Sequence, residues 1–133
     1  MIVGFTGSRE GLSYTQMMQL EEVVRGLSPD NGIHGDCIGS DADFHYICKT
    51  VLRIPIIIRP CNLNEQRAFC RGAVIVHPAK APIERNHDIV NECNILIACP
   101  KEESEILRSG TWATVRYARK IGKKVIMIGK EAK

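Results

Sequence analysis

Three short turns in this sequence carry residues suited to holding an anion. Gly7-Ser8-Arg9 joins a flexible glycine, a hydroxyl and a guanidinium, and arginine's planar fork matches phosphate through two parallel hydrogen bonds. The run Gly35-Asp36-Cys37-Ile38-Gly39-Ser40-Asp41 adds two glycines and two acids. A carboxylate beside such a turn can accept hydrogen bonds from a ribose hydroxyl, though Ser40 and Asp41 could equally cap and charge a helix start. Ser109-Gly110-Thr111 opens a helix, where unpaired amides and the helix dipole favour negative charge. Trp112 comes next and suits either stacking on a base or packing in the core. Arg85 with Asn86, near the start of another helix, is a further candidate to meet phosphate or carboxylate; an exposed helix arginine is the plainer reading. None of these turns is the six-residue dinucleotide fingerprint or a P-loop.

The elements that must position these turns alternate. Ile2-Val3-Gly4-Phe5-Thr6 reads as a strand, and Ser13 with Gln16 forms a capping box for a helix that buries Met17, Leu20, Val24 and Leu27. Ser28 to Gly32 is a turn cluster, and Ile33-His34 is a weak strand signal accepted for the alternation. Ser40 with Asp43 looks like a second cap, with Phe44, Ile47 and Val51 facing inward. Ile54 to Ile58 is a third strand, its proline marking a strand start or a sheet edge. Residues 62–81 have no clear pattern, although Ala73-Val74-Ile75-Val76 is a candidate element and so long a loop is usually functional. Pro82 suits the first position of a helix with Ile83, Val90 and Cys93 inward. Asn94 to Ala98 is a fourth strand. A helix from Thr111 to Ile121 puts Val115, Ala118 and Ile121 near one face and stops at Gly122, before the strand Val125 to Ile128. The expected fold is Rossmann-like α/β, a doubly wound, mainly parallel sheet of about five strands with helices on both faces. Ligands of such sheets bind beyond the carboxyl ends of the strands, where strand order reverses.

The chain has 133 residues, 44% hydrophobic and 25% charged, which predicts one domain over residues 1–133 with its own core. Its apolar runs are too short to cross a bilayer. Met1 leads directly into strand-like residues, so a signal peptide is not expected and the cytoplasm is. The six cysteines contain no C-x-x-C pair, which favours buried thiols over a zinc or redox site, and His45 and His87 lack partners at metal-ligand spacing. A net charge of +3 favours anionic ligands. The basic residues Arg116, Arg119, Lys120, Lys123 and Lys124 fit a helix C-terminus better than a nucleic-acid stripe.

Taken together, Gly4-Phe5-Thr6-Gly7-Ser8-Arg9, His34 to Asp43, Glu84-Arg85-Asn86 and Ser109 to Thr114 resemble the SLOG superfamily over nearly the whole chain. They are similar in particular to its small stand-alone bacterial and phage members. The resemblance implies a phosphorylated nucleotide or ADP-ribose-like ligand, held as sensor, carrier or sink, and a homo-oligomer, with no cofactor or metal. The ligand-binding residues would be Gly7, Ser8, Arg9, Gly35, Asp36, Gly39, Ser40, Asp41, Arg85, Asn86, Ser109, Gly110, Thr111 and Trp112. The LOG phosphoribohydrolases of that superfamily carry glutamates after the last threonine, where this chain has Trp112, Ala113 and Thr114. Nucleotide N-glycoside hydrolysis would therefore need Arg85 and a relocated carboxylate, with Glu84, Asp36, Asp41 or Asp43 available. Single-stranded nucleic acid, bound by the DNA-processing protein A branch, is a third possibility.

Overall fold

The computed structural model describes residues 1–102 and 104–129. Its elements alternate as anticipated: β1 (Ile2–Gly7), α1 (Tyr14–Leu27), β2 (Asn31–His34), α2 (Ser40–Tyr46), β3 (Ile56–Ile58), β4 (Ile75–Val76), α3 (Pro82–Glu92), β5 (Ile95–Cys99), α4 (Gly110–Lys120) and β6 (Lys124–Met127). The sheet has six strands rather than about five, in the order β4-β3-β2-β1-β5-β6, and every pairing is parallel. The additional strand, β4, comes from Ala73 to Val76 in the unpatterned segment. A short 3-10 turn, Asn64–Gln66, lies in the same segment.

Strand alternation sorts the core into two layers. Val3, Phe5, Ile56, Ile58 and Ile97 face α1 and α2, meeting Leu20, Val24, Phe44 and Ile47. Ile33, Ile57 and Leu96 point the other way, onto Ile89 and Val90 of α3 and Ala118 of α4. Trp112 joins the second layer with Ala98 and Val115, so its core reading holds. Three residues expected inside are exposed: Val51, Ile83 and Ile121. Val51 lies in a wider π-helical turn, Ile47–Val51, that continues α2 and shifts its inward face. Ile83 lies in the first turn of α3 and Ile121 is the residue that ends α4.

The capping box of α1 is present: Ser13 Oγ accepts from the Gln16 amide, and Gln16 Oε1 accepts from the Ser13 amide. Gln16 is almost fully buried, and its Nε2 donates to the carbonyl of Ile128 at 3.1 Å and to that of Pro100 at 3.5 Å. One side chain thus ties the start of α1 to the chain beyond β5 and β6. The Ser40–Asp43 cap does not form. Gly39 is the N-cap and makes no side-chain bond, while Asp43 accepts from the Leu12 amide at 2.9 Å.

Candidate functional site

Strand order reverses between β1 and β5, and a cleft of about 550 Å³ opens beside the carboxyl ends of β1, β2 and β5. That is within the usual range for small-molecule sites, at the expected place in an open α/β sheet. The segments after these three strands build it.

Gly7-Ser8-Arg9 leaves β1 and is held from behind by the start of α2. The Ser8 carbonyl accepts from the Ser40 amide at 3.0 Å and from Ser40 Oγ at 2.7 Å. A Cβ on Gly7 would stand 2.3 Å from Ser40 Oγ, and one on Gly39 2.3 Å from the Arg9 carbonyl oxygen. Gly39 also has φ +98°, a conformation open to glycine and strained for other residues. Gly39 and Ser40, expected as ligand contacts, instead let two turns pack backbone to backbone and do not line the cleft. Arg9 does line it, exposed, with Nη2 donating to Gln66 Oε1 at 2.6 Å.

The turn after β2 divides its two carboxylates. Asp36 points away from the cleft and is fully buried. Its Oδ2 pairs with Arg67 at 3.0 Å, and its Oδ1 accepts from the Cys70 amide at 2.9 Å. Its task is to pin the segment around residue 67, which is a different position from the ribose contact expected. Asp41 lines the cleft floor, and its Oδ2 accepts from the Gly35 and Cys37 amides at 3.2 and 3.0 Å. Burial pushes its carboxyl up to about 6, against the opposing pull of these amides and Arg85.

Arg85 is also on the cleft wall, but it is buried rather than free. Nη1 donates to the carbonyls of Gly35 at 2.6 Å and Arg59 at 3.4 Å, and Nε donates to Asn86 Oδ1 at 2.7 Å. Nη2 reaches Cys37 Sγ at 3.4 Å. The guanidinium fills the space a Cβ on Gly35 would take, which explains the glycine. The Cys37 thiol is held up at about 11, first by burial and then by Asp41, so it stays protonated at neutral pH.

Behind the cleft, His34, His45 and Cys70 place one ligand atom each within 4.8 Å of one another. The histidines are already committed to a hydrogen-bond chain. The Asp36 amide donates to His34 Nδ1 at 2.9 Å, which makes His34 Nε2 the donor to His45 Nδ1, and His45 Nε2 then donates to the Arg71 carbonyl. A metal on His34 Nε2 would have to displace that proton while Nδ1 still faces an amide N–H. The chain suits neutral rings, and burial drives His34 down to about 3, reinforced by the His45 and Arg85 charges.

The third segment follows β5. Ser109 Oγ caps α4 by accepting from the Trp112 amide at 3.2 Å. The amides of Gly110 and Thr111, both on the cleft, donate to no group among the described residues. Arg116 donates to Glu105 and to the carbonyls of Ile106 and Leu107, holding the loop that leads into this turn. Lys101, Glu102 and Arg108 complete the rim.

The cleft therefore gathers Gly7, Ser8, Arg9, Gly35, Asp41, Arg85, Asn86, Ser109, Gly110 and Thr111 from the sequence expectation. Asp36, Gly39, Ser40, Trp112 and Glu84 are not among its lining residues. Gln66, Lys101 and Arg108 line it without having been singled out. Gln66 comes from the unpatterned segment, and the other two from the loop between β5 and α4; spacing carries no signal for any of them.

No family model and no curated protein matches the sequence. Among solved structures, the fold is similar to that of the molybdenum cofactor binding protein from the phototrophic bacterium Rippkaea orientalis. The match has a TM-score of 0.69 and 19% sequence identity, and it covers 98% of this chain and 77% of that one.

Proposed function

We propose that the cleft binds a phosphorylated nucleotide or ADP-ribose-like molecule, and that the protein serves as its sensor, carrier or sink. The observation that carries this is the pair of amides of Gly110 and Thr111, without a partner among the described residues, at the start of an eleven-residue helix that lines the switch-point cleft together with Arg9. The SLOG-like pattern of the sequence supports the same reading. Binding is favoured over hydrolysis because three of the four acids available to replace the missing glutamates lie off the cleft, and the fourth, Asp41, is engaged by the backbone. Asp36 pairs with Arg67, Asp43 caps the Leu12 amide, and Glu84 is exposed off the cleft. Asp41 holds two backbone amides with one oxygen.

The fold neighbour favours a second reading, the molybdenum cofactor itself. That group also ends in a phosphate, so the α4 amides and Arg9 fit its phosphate end, and both readings share this subsite.

Calorimetry with AMP, ADP, ADP-ribose and a phosphorylated pterin separates them, alongside mass spectrometry of whatever copurifies. Binding of the nucleotides, weakened about tenfold by Arg9→Ala, is expected. Pterin binding alone selects the second reading, and silence from all four at millimolar concentration refutes both. Release of free base from AMP would restore the hydrolase.

A further inference from the structure

The chain has two basic stretches, one through β3 and β4 and the other through α4 and β6 at the opposite edge of the sheet. Residues 44–83 hold six Lys and Arg with Glu65 as their single acid, a net +5 against +3 for the whole chain. Three of the six have partners: Arg59 pairs with Asp88 and Glu92, Arg67 with Asp36, and Lys80 with Asp88. Lys49, Arg53 and Arg71 are exposed and have no carboxylate within ion-pair distance among the described residues.

Lys49 and Arg71 lie beside Gly72, ahead of the outermost strand, and Arg53 precedes β3, its neighbour. The Lys49 stem lies across Gly72, where a Cβ would stand 2.0 Å from Lys49 Cε. The Arg71 carbonyl is fixed by His45, and the Val74 amide donates to Ile56, three residues after Arg53. Beyond them β4 has β3 on one side and no strand on the other. Val74, Ile75 and Val76 are 60%, 46% and 55% exposed. An edge strand offers backbone donors and acceptors to another strand, and this one carries no charged or proline residue, while its two residues limit the added ladder to a few hydrogen bonds. None of these residues lines the cleft, so this surface is separate from the ligand site.

We infer that the β4 edge is a docking surface for an extended acidic peptide segment of a partner protein, added as a seventh strand. Backbone pairing would supply affinity, apolar side chains would cover Val74 to Val76, and Asp or Glu would meet Lys49, Arg53 and Arg71. Charge selects this occupant over a second copy of the chain. A two-fold pairing of β4 with β4 would bring the same unpaired cations of both copies to one seam.

The test is fluorescence anisotropy on the full chain with a labelled eight-residue peptide of alternating Val and Glu. Controls are its Val-Lys counterpart, an N-methylated Val-Glu version unable to pair as a strand, and a single-stranded oligonucleotide. Saturable binding of the Val-Glu peptide alone is expected, weakened about tenfold or more in Lys49→Glu/Arg71→Glu and by raised salt. Light scattering should show no dimer that the same double variant dissolves. Equal binding of the N-methylated or Val-Lys peptide would overturn the inference. So would preferential binding of the oligonucleotide, a β4-dependent dimer, or no binding at millimolar peptide.

Discussion

Asp41 and His34 flank the turn after β2 and respond to pH in opposite senses. The folded Asp41 carboxyl is pushed up to about 6 against 3.8 for a free aspartate, so the fold holds its proton more tightly than the unfolded chain. Its stabilising contribution is complete below pH 3.8 and is lost as pH rises through 6. His34 is the reverse case, near 3 against 6.5, so its contribution is present above pH 6.5 and is lost as pH falls toward 3. Between about pH 4 and 6 the two slopes oppose each other, each near 1.4 kcal/mol per pH unit. Asp41→Asn keeps an oxygen for the Gly35 and Cys37 amides and removes one slope. Its stability relative to the unmodified chain should rise by about 3 kcal/mol from pH 4 to pH 6 and stay level above pH 7, as read from urea midpoints. Arg85 calls for a different test. Its four contacts make it a brace, and Arg85→Ala leaves the Gly35 and Arg59 carbonyls without it. A loss of about 3 kcal/mol in urea unfolding is expected; a loss within 0.5 kcal/mol would return Arg85 to the role of a free anion-binding arginine.

At the scale of elements, the cleft depends on how closely the β1 and β2 turns approach. Gly39→Ala adds a methyl where the Arg9 carbonyl already lies and forces a non-glycine residue to φ +98°. The variant should lose about 2–4 kcal/mol of stability and carry a displaced Arg9, seen as weaker nucleotide binding and altered amide shifts at Ser8 to Glu10. This contact also shows where sequence reading stops. The glycine turns and the capping box are local patterns, and so were legible from spacing. Whether a glycine faces a ligand or a neighbouring turn depends on packing between residues 30 positions apart, and spacing does not report that. Asp36 shows the same limit, since its partner Arg67 lies in a segment whose structure is made by tertiary contacts rather than periodicity. β4 was only a candidate because two exposed residues have no alternation to read.

For the whole molecule, a ligand at the β1/β5 switch point touches both halves of the sheet. The β1 and β2 turns belong to the half covered by α1 and α2, while α4 covers the other face. A molecule bridging Arg9 and the α4 amides would therefore couple two layers that Arg85 already ties through its bond to the Gly35 carbonyl. Binding to the folded state alone stabilises it by mass action, about 2.7 kcal/mol at a hundred times the dissociation constant. In a domain between the size classes for which 1 kcal/mol shifts the midpoint by 2–4 °C and 4–8 °C, that amounts to about 10 °C. Differential scanning fluorimetry with ADP-ribose should show a single transition moved upward by this amount, with adenosine giving little shift because it lacks the phosphates proposed to meet Gly110, Thr111 and Arg9. An equal shift from adenosine would place the binding energy on the base and remove the phosphate subsite from the argument. A split into two transitions would show that the ligand holds one layer and leaves the other to unfold alone.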